Sequence, residues 1–478
     1  MVFSSMTFLV LFMPALLLFY FIVPDWRWRN AVLLCASLLF YGWGEPVWIF
    51  AMIFSTAVNY VCAIVLSRTD SVSLRRLALW IGVVISLAFL FYFKYAAFLL
   101  NSLAALVGRS GVMSAPRLPI GISFYTFQVL TYTIDVYRGK APVQRSFFRL
   151  LLYVSCFPQL IAGPIVQYAD VARQLRRRSV SARSFVLGFR RFALGLFKKV
   201  LLANLCGMIL ERTALAGTGA PMSLLGAWYS ALLYTLQIYY DFSAYSDMAI
   251  GLGRILGFTY KENFNYPYVS CSVTEFWRRW HISLGSFFRD YVYIPLGGNR
   301  AGAARTARNM LIVWLLTGLW HGASWNFLLW GLYYGALLLL ERFVFAGVLK
   351  KIPGALRWLP TMLLVVFGWV IFYYTDLRNV GTHLLAMFGL GRADGILVRL
   401  PLTDEKLLSV LRIYSWLPAL AFALSFPILP ALRRVTESSR ALRRLGDGAA
   451  NVGCAAMLGL SVLFLIGQSY NPFIYFRF

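Results

Sequence analysis

Charge is what this sequence has least of. Only 13% of its 478 residues are Asp, Glu, Lys or Arg, and 18 acidic residues stand against 45 basic ones. Soluble domains carry about 25% charged residues, so an ordinary water-soluble globule is excluded. Histidine is scarcer still: the three present, His281, His321 and His383, are scattered without the spacing of a zinc site. There is no P-loop, no GxSxG and no HExxH, which removes the usual signatures of nucleotide hydrolysis, serine-hydrolase chemistry and zinc proteolysis. The six cysteines (Cys35, Cys62, Cys156, Cys206, Cys271, Cys454) form no CxxC pair and mostly lie in apolar runs. They read as small core residues rather than disulfides or metal ligands.

What is abundant is apolar chain. Sixty per cent of the residues are hydrophobic, and 15 Trp and 27 Tyr suit aromatic belts at two membrane interfaces. The expected fold is all-α: a polytopic integral membrane protein with roughly 10–12 membrane helices plus re-entrant and amphipathic interfacial helices. The formal charge of +27 does not call for nucleic acid, because the basic residues lie in short stretches between apolar runs. The positive-inside rule and contact with anionic membrane lipid account for them. No repeat or linker divides the chain, so residues 1–478 read as a single domain.

A first helix is expected over about Ser5–Val23, without the basic region of a secretory signal peptide. Arg27 and Arg29 follow, then a run over Ala31–Tyr41, a turn at Gly42–Pro46, a span through Leu66 and another ending near Phe93. Placing the basic clusters in the cytoplasm puts the N-terminus and Glu45 outside. Pro119–Val136 is a further span. Leu150–Ile165 is short and carries Pro158, Gly163 and Pro164, and a full crossing would place the basic stretch Arg173–Lys199 outside. A re-entrant segment removes that conflict. Later runs cover Val200–Leu210, Leu224–Leu256, Asn309–Leu340, Trp358–Tyr374, Ile413–Leu429 and Val452–Ile466.

Asn309–Leu340 carries no Asp, Glu, Lys or Arg and is long enough to span a bilayer with length to spare. Its middle holds His321, within Trp320-His321-Gly322. An ionisable group at membrane depth is costly and faces the protein interior, a partner or water. Gly318 and Gly322, four apart, permit close approach of a second helix or of a substrate. His321 is therefore either a neutral histidine bonded to a neighbouring helix or a base whose proton affinity suits neutral pH.

The other unusual stretch is Gln237–Arg300, which mixes aromatics with charges of both signs. Thr274–Leu296 has helical spacing, with Phe276, Trp280, Leu284 and Phe287 on one face and Arg278, Arg279 and Arg289 elsewhere. Ser272 or Thr274 is the expected cap. An amphipathic helix in the headgroup plane explains much of this, but His281 follows Trp280 and Asp290 can pair with an arginine. Asp241 and Asp247 lie in or near an apolar run and are expected to be paired and cavity-facing. His383, in a short segment, reads as structural.

FWRRWHISLGSFFRDYVYIPLGGNR (276–300) followed by LTGLWHGASWNFLLWG (316–331) resembles the signature pair of the membrane-bound O-acyltransferase family. The opening MVFSS, FPQLIAGPIVQY (157–168), QIYYDFSAYSDMAIGLGRILGF (237–258) and the closing FIYFRF extend the resemblance nearly end to end. It implies a ring of helices around a central cavity, with His321 as catalytic base and His281 as the second active-site residue. Asp241, Arg278, Arg279, Asp290, Asn299, Trp320, Gly322 and Asn326 are supporting or substrate-path candidates. The branch it resembles most implies acetyl-CoA as cytoplasmic donor. It also implies a periplasmic polysaccharide O-acetyltransferase partner and a polymer-export complex, in a bacterial inner membrane. Thioester-to-hydroxyl transfer needs a base and an oxyanion donor; His281, Asn326 or a backbone N–H beside Gly322 are the donors considered. The Arg173–Lys199 cluster is a candidate mouth for the donor's phosphates or a topology signal alone. A transporter would use His321 and Asp241 as a proton relay, but its inverted repeats are not found. A non-catalytic synthase subunit would tolerate substitution at His321.

Overall fold

The computed structural model describes residues 1–109, 111–161, 163–213, 223–300, 302–393, 396–436, 438–467 and 473–474. Four residues of the closing FIYFRF thus lie outside the described residues. Helices supply nearly all the regular structure. Among the described residues one sheet occurs, the antiparallel pair Leu390–Ala393 and Ile396–Arg399 with Leu390 opposite Arg399.

Among the described residues six helices are long and apolar enough to cross a membrane: Ile49–Arg68, Val72–Leu106, Ala182–Thr213, Trp325–Val344, Gly354–Tyr373 and Arg440–Ile466. A seventh is formed if Glu405–Tyr414 and Trp416–Leu424, bent by 62°, make one span. Large apolar side chains such as Leu11, Leu18, Phe50, Phe54 and Leu106 point outward on these and neighbouring helices. That surface is costly in water and natural in lipid. The protein is a multi-pass membrane protein.

Several expected runs divide where local chemistry interrupts them. Leu150–Ile165 is two short buried helices, Phe147–Ser155 and Phe157–Leu160, separated at Cys156 and followed by irregular chain. The Arg173–Lys199 stretch is not a loop: from Ala182 onward it belongs to the long Ala182–Thr213 helix. Ile413–Leu429 is spread over three helical pieces. Asn309–Leu340 is not one span but a hairpin, Ala303–His321 and Trp325–Leu339, turning at Gly322–Ser324. His321 is the last residue of the first arm rather than the middle of a helix.

The chain packs as two compact units, neither contiguous in sequence: Met1–Leu196 with Tyr245–Glu262, and Phe197–Ala244 with Asn263–Phe464. In the first, Phe3, Phe8, Phe12, Phe40 and Phe157 form an aromatic core. Helices there are joined by polar pairs, Asn59 Nδ2 to Ser86 Oγ at 2.9 Å and Thr133 Oγ1 to Asn59 Oδ1 at 2.6 Å. Arg178, within the Arg173–Lys199 cluster, is buried. It donates to Tyr20 Oη at 2.7 Å and to Leu256 O at 3.1 Å, and lies over the Phe258 ring at 4.6 Å. Arg191 bridges Asp247 and Glu262 at 2.6 and 2.7 Å. These two cations hold the unit together, which leaves Arg173, Arg176, Arg177 and Arg183 as the exposed part of the cluster.

Candidate active site

Every described element of the site lies in the second unit, and it starts from a helix that the sequence pattern misreads. The expected helix over Thr274–Leu296 is broken. Val273–Arg279 ends at Trp280, His281 takes φ +46°, and a second helix, Ile282–Phe288, begins after it. A π-helical turn, Arg289–Tyr293, continues from there. Left-handed backbone costs a non-glycine residue roughly 1–2 kcal/mol, so something must hold it. The segment 263–265 does: Ile282 N donates to Asn263 O at 3.0 Å, and Asn265 N donates to Arg279 O at 2.9 Å. The N-terminus of Val273–Arg279 is capped twice. Ser272 Oγ accepts from Glu275 N at 3.0 Å, and Glu341 accepts from Val273 N at 2.8 Å. The apolar face of the pattern survives the break, for Phe276, Trp280, Leu284 and Phe287 are all buried.

The hairpin carrying His321 closes glycine on glycine. A Cβ on Gly318 would lie 2.2 Å from Phe327 O, one on Gly331 2.4 Å from Trp314 O, and one on Gly322 2.3 Å from the Phe327 ring. Of the two uses open from sequence, the glycines serve close approach of a second helix. Gly318→Ala should therefore destabilise the protein by at least about 1–3 kcal/mol, because backbone must move. Gly285→Ala, whose Cβ would meet nothing within 4 Å, should not. Thermal unfolding of the two variants in one detergent checks this; equal melting temperatures would mean the hairpin is looser than described.

This packing seats His321 in an aromatic cage, its ring 5.0 Å from each of Trp320, Trp330 and Phe372, at steep angles. Trp320 also touches His281, with centroids 5.5 Å apart. One indole thus stands in contact with both imidazoles, a proximity the spacing of 281 and 321 did not require. His281 is 2% exposed, and burial pushes its proton affinity down to about 3. It also lines a cavity of about 210 Å³ together with Trp277, Trp280, Gly285, Arg289, Trp314 and Thr317. Thr317 lies one turn before His321 on the same helix.

The remaining expected residues separate into those near this centre and those spent on structure. Asp241 is buried and paired with Lys199. Arg279 is engaged by Glu275 at 2.9 Å and by Asn265 O at 3.1 Å. Asp290 is paired with its neighbour Arg289 at 2.7 Å, while Arg278 and Asn299 are exposed. Asn326 is fully buried, with its Nδ2 turned to Ile371 O at 3.4 Å and its Oδ1 taken by Ser324 Oγ. The Gly322 N–H is directed to Gly318 O at 3.4 Å. His383 is closed on both nitrogens, by Tyr374 Oη at 2.8 Å and Ala227 O at 3.0 Å.

Two residues escaped the sequence reading. Asn263, buried in a loop, lies 3.3 Å from His281 Nδ1 through its Oδ1. Trp277 lines the cavity beside His281, and its Nε1 has no partner among the described residues. No periodicity marks either; the only signal available was their place in the polar stretch.

Fold and geometry together define a multi-pass helical membrane protein with a candidate site at a pair of buried imidazoles joined by one indole. The sequence profile of the membrane-bound O-acyltransferase family matches residues 122–382, a window that takes in both histidines, and this chain belongs to that family. It is an O-acyltransferase. Similar proteins include one named "Probable alginate O-acetylase AlgI" from Azotobacter vinelandii, 38% identical with both chains fully covered. The peptidoglycan O-acetyltransferase of Helicobacter pylori is 30% identical over all of this chain and 98% of its own. The teichoic acid D-alanyltransferase of Bacillus subtilis is 26% identical over 53% of this chain and 68% of its own.

Proposed function

We propose that the protein takes an acetyl group from a cytoplasmic thioester, acetyl-CoA, and moves it across a bacterial inner membrane for O-acetylation of an exopolysaccharide such as alginate. The observation that carries this reading is the end-to-end similarity to proteins named for alginate O-acetylation, at identities well above those to the teichoic-acid branch. A periplasmic polysaccharide O-acetyltransferase and a polymer-export complex are the partners the chemistry calls for, since the acetyl must finally reach polymer hydroxyls. Peptidoglycan is the second acceptor to test, because the relative named for it also matches along its length.

In the transfer, a hydroxyl attacks the thioester carbonyl, the C–O bond forms, the C–S bond breaks, and the hydroxyl proton ends on the departing thiolate. His321 is assigned as the base that carries that proton. His281 suits the task less well, because a group with so low a proton affinity is a weak general base at neutral pH. It serves as the second active-site residue, next to the small apolar cavity that receives the acetyl end of the donor. Arg173, Arg176, Arg177 and Arg183 remain exposed for the donor's phosphates, and their contribution would weaken with salt.

The test uses inverted membrane vesicles given radiolabelled acetyl-CoA on the cytoplasmic face. Label should reach an acceptor inside the vesicle, and free CoA should appear outside. Gly285→Leu, which narrows the cavity without a backbone clash, should cut transfer by about tenfold or more while leaving membrane levels unchanged. Vesicles that use D-alanyl thioester but not acetyl-CoA would overturn the reading, and full activity in Gly285→Leu would move the acetyl site elsewhere.

A further inference from the structure

Heavy atoms do not show which nitrogen of an imidazole bears the proton, but neighbours that can play only one role decide it. A backbone N–H can only donate, and Ser283 N lies 3.1 Å from one end of the Asn263 side-chain amide, with Ser283 Oγ at 2.9 Å from the same atom. If that atom were the NH2 group, donor would face donor, so it is the carbonyl oxygen Oδ1. His281 Nδ1 lies 3.3 Å from this same oxygen. An oxygen accepts, so in neutral His281 the proton sits on Nδ1 and the lone pair on Nε2. That Nε2 is buried and has no partner among the described residues. His383 shows the opposite state: its Nε2 faces Ala227 O, which only accepts, so Nε2 bears the proton there.

We propose that Asn263 is a positioning residue of the transfer site, fixing His281 as the Nδ1–H tautomer so that Nε2 is offered as a hydrogen-bond acceptor to a substrate O–H or N–H. The same residue also holds the backbone, its carbonyl accepting from Ile282 N directly after the left-handed His281. Ring and main chain are thus set by one residue from a different segment, the ring by its side chain and the Ile282 N–H by its backbone carbonyl. One consequence removes an option left open by the sequence: neutral His281 in this state has no N–H to spare and cannot steady an oxyanion. The tautomer follows from geometry alone; only the identity of the donor group held by Nε2 rests on the acetyl-transfer reading.

Three histidines in the whole chain make a direct test simple. Full-length protein with isotope-labelled histidine is examined by nitrogen NMR in lipid nanodiscs, each ring assigned by substituting it singly. The expected wild-type result is His281 as Nδ1–H and neutral throughout the range above about pH 5. The charged or titratable groups on the elements packed around it include Asp241, which precedes the contacting Phe242 and is paired with Lys199; Arg289, paired with Asp290; Tyr293; and His321 beyond Trp320. In Asn263→Ala the proton is no longer held on Nδ1, so both tautomers appear, and acetyl transfer falls by about 10–100-fold. Asn263→Asp keeps the acceptor oxygen and adds a negative charge, which favours imidazolium. The acid limb of the pH–rate profile then moves to higher pH, with kcat partly rescued relative to Asn263→Ala.

Adding CoA alone should shift the Nε2 signal if the donor's amide N–H is the group held; a shift only with de-acetylated polymer would assign a hydroxyl. An Nε2–H tautomer in wild-type His281, an unchanged pattern in Asn263→Ala, or no shift with either ligand would overturn the proposal. Should Asn263→Ala fail to reach the membrane, Asn263→Asp decides by the tautomer: its oxygen still accepts from Nδ1–H, and an Nε2–H ring in neutral His281 of that variant would overturn the proposal. Vesicles without acetyl transfer would fail the functional reading and leave the tautomer result standing.

Discussion

His321→Ala is expected to abolish acetyl transfer while the protein inserts at wild-type level. A positioned base contributes about 10²–10⁴-fold to proton-coupled transfer, and no other described side chain within the cage around His321 is titratable. The rings that surround it are Trp320, Phe327, Trp330 and Phe372, and they keep one another in place when the imidazole is removed. Truncation leaves an apolar void and no unpaired charge, so folding should suffer modestly. The kinetic signature is a fall in kcat with the KM for acetyl-CoA nearly unchanged, because the lost interaction belongs to the transition state. Release of free CoA by vesicles at matched protein levels measures both constants. A variant that keeps even a tenth of the rate would remove His321 from the role of base.

His281→Asn is expected to cost about 10²-fold or more in kcat, and asparagine is the informative choice. The position has φ +46°, and Asn is among the few side chains that take the left-handed region readily. The break between Val273–Arg279 and Ile282–Phe288 should therefore survive, and a loss of rate would report the imidazole rather than the backbone. His281→Ala confuses the two, since Ala is strained there. The double variant His281→Asn, His321→Ala should be no slower than the worse single variant, because residues that act as one unit do not add. Strictly multiplicative losses would show two independent sites.

Burial of His281 also has a consequence for pH. Its folded-state proton affinity, down to about 3, lies below that of a free imidazole. The neutral form is therefore the one the fold favours, and stability is lost as pH falls below about 6.5, where the unfolded chain takes up the proton first.

The sequence carried the class of fold, because apolar runs and scarce charges report solvent directly, and it singled out the two histidines that Trp320 brings together. It carried less of the local geometry. Helical spacing extends without interruption through Trp280 and His281, since the burial of Phe276, Trp280, Leu284 and Phe287 is the same whether the helix is continuous or broken. The break is imposed from outside, by the Asn263 and Asn265 hydrogen bonds, and pairing between distant segments leaves no local pattern. Asn309–Leu340 failed differently: an apolar run has the same composition as one span or as a tight hairpin. The glycines at 318 and 331 mark the hairpin only once their partners are known. Arg178 and Lys199 were legible only as members of the basic Arg173–Lys199 cluster, because their partners Tyr20 and Asp241 are remote in sequence.

The most direct test of the central claim is the ester-acetyl content of secreted polysaccharide from cells carrying either the wild-type chain or His321→Ala, at matched membrane levels. Normal polymer yield with the acetyl esters gone is the expected result. Polymer that is still acetylated, or polymer that is itself missing, would contradict it.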